Sequence, residues 1–152
     1  MKVFIENERG SRTKNIFNEK TLEFRKSVEV SRAYPYAYGF VIGTTSGDGD
    51  NLDCFVLTAK PLKSGETIDV EPIGMFEMDD TGENDPKILA TLPGESPIVD
   101  ERVQTELRNF IAHVFDHLPG KKLVVGQFFG KDEAVALVQQ STDISGSPPP
   151  RE

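Results

Sequence analysis

Short β-branched or aromatic runs dominate the chain, at residues 2–5, 22–30, 53–58, 67–77, 87–92 and 122–129. Clusters rich in Gly, Pro, Ser, Asp and Asn separate them at 44–50, 63–66 and 79–86, the punctuation of strands joined by turns. Ile68 and Val70 alternate with Asp69 and Glu71, the two-residue period of a half-buried strand. One segment has the helical period instead. Val103, Leu107, Phe110, Ile111, Val114, Phe115 and Leu118 recur at spacings of three and four, a broad apolar stripe. Asp100 is placed to cap that helix, Glu101 suits the positive end of its dipole, and Pro119-Gly120 is expected to stop it. A second, weaker helix is predicted from about 132 to 140. Short strands followed by a packing helix describe an α+β domain built around a small β-barrel over residues 1–140. The remainder, 141–152 (STDISGSPPPRE), carries one apolar residue and reads as a flexible Ser/Pro-rich tail.

Composition narrows the class. With 152 residues, 37% hydrophobic and 28% charged, the chain is sized for one domain. No apolar run approaches the roughly 18 residues of a membrane span, and Glu6 interrupts the apolar start too soon for a signal peptide. Cys54 is the single cysteine, which excludes an internal disulfide framework and favours a reducing cytoplasm; it reads as a small buried residue. His113 and His117 are four apart on the predicted helix with no third ligand in view, and are read as surface or boundary residues. The net charge is −8 and unevenly spread: residues 48–85 hold eleven carboxylates against Lys60 and Lys63, whereas residues 1–47 hold eight Lys or Arg against five Glu. That bulk acidity argues against binding a nucleic-acid backbone, but not against a small phosphate ligand carried with cations.

The carboxylates suggest chemistry. Asp48-Gly49-Asp50-Asn51-Leu52-Asp53 places three acids in six residues, and their repulsion favours a hard divalent cation between them. An EF-hand register fails: counting from Asp48, Asp53 falls at the sixth position, where Gly is needed, and Ala59 at the twelfth, where Glu is needed. A solvated turn is the alternative. A second acidic loop, 79–87, contains Asp80 and Asp85 and ends at Lys87.

These segments together resemble family I soluble inorganic pyrophosphatases, from Phe4 to about Val138. Residues 48–53 resemble the family's Asp-x-Asp-Pro-x-Asp, with Asn51 in place of proline. Tyr34-Pro35-Tyr36-Ala37-Tyr38-Gly39-Phe40, Pro72-Ile73-Gly74, and Glu6 followed by Gly10-Ser11-Arg12-Thr13-Lys14 resemble further family segments in the same order. The resemblance implies a five-stranded OB-like barrel and Mg²⁺-dependent (or Mn²⁺-dependent) hydrolysis of pyrophosphate to two phosphates by direct attack of metal-bound hydroxide. By position it implies metal ligands at Asp48, Asp53, Asp80 and Asp85, and a proton acceptor for the attacking water at Asp50. Lys14, Lys26, Tyr38 and Lys87 match groups that hold phosphate, with Glu6 and Tyr34 in support. It also implies a homo-oligomer, a hexamer in this family.

Several functional positions depart from the pattern. Ile16 stands where a carboxylate is expected, Lys26 where an arginine is, Leu118-Pro119 where Tyr-Lys is, and Thr81 where an acid is. Lysine keeps the charge of arginine but loses its planar fork. Lys121 or Lys122 is a candidate to reach in instead. A second reading therefore stands beside the enzyme: a weakly active or non-catalytic homologue that binds divalent metal and phosphometabolites on the same scaffold.

Overall fold

The computed structural model describes residues 1–47 and 49–143, so Asp48 and all but the first three residues of the expected tail (141–152) lie outside the described residues; of those three, Ser141 ends the last helix and Asp143 Oδ1 accepts the Thr45 hydroxyl at 2.6 Å. Its elements are, in order, β1 (Lys2–Asn7), β2 (Thr13–Phe17), β3 (Phe24–Glu29), β4 (Ala37–Val41), β5 (Asp53–Val56) and β6 (Thr67–Asp69). There follow β7 (Glu71–Asp80), β8 (Glu83–Asn84), β9 (Lys87–Thr91), α1 (Glu101–His113), β10 (Leu123–Phe129) and α2 (Lys131–Ser141). The main sheet runs β10-β7-β9-β5-β4-β1-β6, with β8 added to β7, while β2 and β3 pair only with each other. Every pairing is antiparallel except β5 with β9. This is the sheet-dominated, OB-like α+β architecture expected, with short strands β6 and β8 extending the ladder.

The central strands read as continuous apolar runs because both of their faces are covered. Phe55, Phe76 and Leu89 point to one core with Leu107, Phe110 and Val114 from the α1 region. Their chain neighbours Cys54, Val56, Met75, Ile88 and Ala90 point to the other core, with Ala134 of α2. Alternation of side chains across a strand thus feeds two cores at once. Burying a side chain such as Phe55, Leu89 or Leu107, each fully inaccessible, stabilises the fold by about 1.5–3 kcal/mol.

Asp100 caps α1 as expected, its side chain accepting from the Val103 N–H at 3.0 Å. The helix ends at His113, six residues before the predicted stop at Pro119. The Val114 carbonyl turns aside to accept the Ser31 N–H at 2.9 Å, and the Leu118 N–H instead reaches Phe115 O at 2.9 Å. The predicted strand at 67–77 is two strands. Thr67–Asp69 pairs with β1 and Glu71–Asp80 with β9, so the chain changes neighbours at Val70 while keeping its alternation.

Three strands fall outside the predicted runs: β2, β4 and the two-residue β8, which pairs back on β7 inside the segment predicted as a turn. β2 is largely polar, and its Asn15 is held by side-chain bonds rather than apolar packing: its N–H donates to Asn7 Oδ1 at 2.7 Å and its Nδ2 to Glu6 O at 2.9 Å. β4 contains Gly39, which weakens a strand by propensity. A Cβ at residue 39 would lie 1.8 Å from Phe4 O, so the close crossing of β1 and β4 admits only glycine there. Gly39→Ala should therefore destabilise the protein by about 3 kcal/mol or more, or prevent folding. Gly47→Ala, whose Cβ meets nothing within 4 Å, should shift urea unfolding by less than about 0.5 kcal/mol. Equal midpoints for the two variants would contradict this account.

Candidate functional site

One cavity of about 290 Å³ gathers residues from both acidic loops and from the basic N-terminal segment. Asp50 and Asp53 enter from the first acidic turn, Asp80 and Asp85 from the second, and Glu6, Lys14, Tyr34, Tyr38 and Lys87 join them from the expected set. Lys26 is not among the lining residues. It lies opposite Ile16 on β3, a strand that pairs only with β2 and is exposed along its whole length. Asp48 falls outside the described residues.

The topology explains the convergence. In the parallel β5–β9 pair Asp53 lies directly beside Lys87, so the end of one acidic turn and the end of the other share a register. The Lys87 ammonium donates to Asp53 Oδ2 at 2.6 Å, to Asp85 Oδ2 at 3.0 Å and to the Tyr38 hydroxyl at 3.1 Å. Burial alone pushes the Lys87 ammonium down, but the attraction of Asp53 and Asp85 overcomes it and its affinity for the proton rises. Lys121, exposed on the connection after α1, donates to Asp80 Oδ2 at 3.0 Å. The Thr81 hydroxyl donates to the other oxygen of Asp80 at 3.1 Å. Thr81 thus turns from expected acid to donor.

Glu6 is shifted first by its burial and only then by its charged neighbours. Burial, then repulsion from Asp53 and Glu19, raises it to about 8 despite Lys14 and Lys87 nearby. Lys14 is pushed down, first by burial and then by Lys87 and Lys121, although Glu6 and Asp53 oppose the shift. Its ammonium lies 5.0 Å from the Phe115 ring centroid, and that of Lys121 lies 5.5 Å away, so one aromatic ring holds two cations. Tyr34 and Tyr38 have ring centroids 5.6 Å apart, and burial raises both hydroxyls. Tyr36 faces elsewhere and donates to Glu106 at 3.0 Å.

Histidine and cysteine stay out of this chemistry. His113 pairs with Asp116 at 3.0 Å and the His117 ring meets the Ser31 hydroxyl at 2.8 Å, both at exposed positions. Cys54 is free and buried, and burial pushes its thiol up. Among the described residues no three acidic or imidazole side chains stand close enough together to grip one ion. Lys87 and Lys121 draw the acids to themselves. The donor set is nonetheless all oxygen and strongly negative, which suits a hard divalent cation such as Mg²⁺ rather than a thiolate- or imidazole-seeking metal. Among the described residues no helix is long and apolar enough to cross a membrane.

Glu19 also lines the cavity. It escapes a reading by motif because it is a single acid in a polar turn, Asn18-Glu19-Lys20-Thr21, of a kind that ordinarily faces water. Phe115 escapes for a related reason, since at helical spacing it looks like one more core residue.

Removing the ammonium from between the two acids should be costly. In metal-free buffer at pH 7, Lys87→Met should lose about 3–5 kcal/mol in urea unfolding, because a buried pair broken on one side leaves uncompensated charge. A loss below about 1 kcal/mol would show that the acids are well solvated without Lys87.

The model of the inorganic pyrophosphatase family matches residues 3–144. An inorganic pyrophosphatase of Nanoarchaeum equitans is 32% identical over 151 residues, covering 93% of this chain and 94% of the relative. One from Methanosarcina acetivorans is 35% identical over 149 residues, covering 91% and 88%. The crystal structure of inorganic pyrophosphatase from Thermus thermophilus superposes with a TM-score of 0.84 at 26% identity, covering 93% of this chain and 88% of that one.

Proposed function

This chain belongs to the inorganic pyrophosphatase family, and on that footing we propose that it hydrolyses inorganic pyrophosphate to two phosphates in the cavity shared by its two acidic turns. The observation that carries the reading is the convergence of Asp50, Asp53, Asp80 and Asp85 with Lys14, Lys87 and Lys121 on one chamber. Carboxylates and ammonium groups are interleaved around it, an arrangement suited to a highly charged anion that arrives with cations.

Asp48, Asp53, Asp80 and Asp85 are the residues that would hold Mg²⁺, with Mn²⁺ the alternative. Bound there, the divalent cation supplies charge neutralisation for the substrate and a lowered pKa for the attacking water. Asp50 takes the proton from that water as its oxygen bonds to one phosphorus and the bridging P–O bond breaks. Lys14, Lys87 and Tyr38 hold phosphate oxygens, and their fixed charges and dipoles offset the charge gathering on the leaving phosphate. Lys121 joins them from the connection that lacks the expected Tyr-Lys, while Glu6 and Tyr34 shape the floor. Lys26 has no part in this arrangement. The reading extends to a cytoplasmic homo-oligomer, a hexamer by family resemblance.

Phosphate release from pyrophosphate with excess Mg²⁺ tests the proposal. The protein should turn over, chelation with EDTA should abolish release, and Asp50→Asn should lower kcat about a hundredfold or more. Release no greater than that of Asp50→Asn, from a folded and Mg²⁺-replete sample, would instead favour a non-catalytic binder of metal and phosphometabolites. In H₂¹⁸O, label should enter phosphate with no acid-stable phospho-enzyme; trapping one would overturn direct attack by water.

A further inference from the structure

Glu19 reaches the cavity from a turn that is braced from within. Asn18 Oδ1 accepts the N–H groups of Lys20 at 2.9 Å and Thr21 at 3.0 Å, and Leu22 takes the left-handed conformation at φ 63°. The half-buried Glu19 carboxylate that this turn projects accepts the backbone N–H of Asn51 at 2.8 Å. Asn51 lies inside the first acidic turn, between Asp50 and Asp53, and its side-chain amide donates to Val41 O at 3.2 Å. One residue on, the Leu52 N–H donates to the Thr44 hydroxyl at 2.9 Å. The turn is therefore tied to its own strand from behind and to Glu19 in front.

Two departures from the pattern this chain resembles meet at this contact. Residue 51 is proline in that pattern, and proline has no N–H to donate. Residue 16 is a carboxylate in that pattern, and here it is an isoleucine on the cavity wall. The chain lacks the acid that the pattern puts on β2, while Asn51 supplies a donor that holds an acid from the turn immediately after β2.

We propose that Glu19 is a positioning residue: through the Asn51 N–H its carboxylate holds the turn at residues 49–53 against the cavity and so sets Asp50 and Asp53 for their work. The consequence for turnover rests on the pyrophosphatase reading; the contact itself does not. Two measurements keep them separable. In the metal-free full chain, Glu19→Ala should speed amide hydrogen exchange across residues 49–53 about tenfold or more. That matches the loss of a hydrogen bond to a charged group. Glu19→Gln keeps an oxygen acceptor and should stay within about threefold of the parent. Unchanged exchange in Glu19→Ala would overturn the proposal.

In the Mg²⁺-dependent phosphate assay, Glu19→Ala and Asn51→Pro should each lower kcat and raise the half-saturating Mg²⁺ concentration about threefold or more. KM for pyrophosphate should stay within about twofold. Glu19→Gln should recover most of the loss, and the double variant Glu19→Ala/Asn51→Pro should be no worse than either single one. Multiplying effects in the double variant would show that the two residues act separately and would overturn the coupling. A parent protein that releases no phosphate would defeat the pyrophosphatase reading, and the exchange measurement would still decide the role of Glu19.

Discussion

Carboxylates gathered in a poorly hydrated cleft repel one another, and the repulsion grows as the local dielectric falls. Lys87 lets this protein bring Asp53 and Asp85 together, because its buried ammonium bonds both of them and the Tyr38 hydroxyl as well. The contact depends on one feature of the topology, the parallel pairing that sets Asp53 beside Lys87. Remote acidic turns then share an edge, and the chamber between them follows. Burial first, and then repulsion from Asp53 and Glu19, raises the proton affinity of Glu6 at the same cavity, although Lys14 and Lys87 oppose it.

The two halves of the chamber are built differently. The acids stand at strand ends and turns adjoining the main sheet, whose central strands are packed on both faces and hold register firmly. The other side is assembled from β2, the turn after it and the connection after α1, which carry far less core. There an aromatic face takes over part of the ordering: Phe115 holds Lys14 and Lys121 at 5.0 and 5.5 Å from its centroid. Departures from the family pattern concentrate on this lightly packed side, at Ile16 and Leu118-Pro119. Change there costs little packing, whereas change at Lys87 disturbs a buried ion pair.

Much of the fold was legible because it rests on local periodicity. The stripe from Val103 to Val114, the Asp100 cap and the apolar runs of β5 and β9 each carry their signal within about ten residues. β2 and β4 were not legible from propensity. The first is held by side-chain bonds from Asn7 and Asn15, and the second carries a glycine that only the crossing with β1 explains. The early end of α1 is likewise a tertiary event, since Ser31 captures the Val114 carbonyl. Among the described site residues expected from the sequence, all but Lys26 line the cavity, and Lys26 lies on the outer strand β3.

The available chemistry can be read from the residues alone: an all-oxygen acidic set, a few lysines and tyrosines, and no thiolate or imidazole cluster. Side-chain chemistry and short-range order are written residue by residue, so they can be read that way. Tertiary structure alone decided which of those groups meet. It put Lys87 between two acids 32 residues apart, brought Lys121 to Asp80, and turned the unremarkable Glu19 onto the Asn51 N–H. Such pairings depend on strand register and on where a turn is braced, quantities set by the packing of the whole sheet rather than by any one segment.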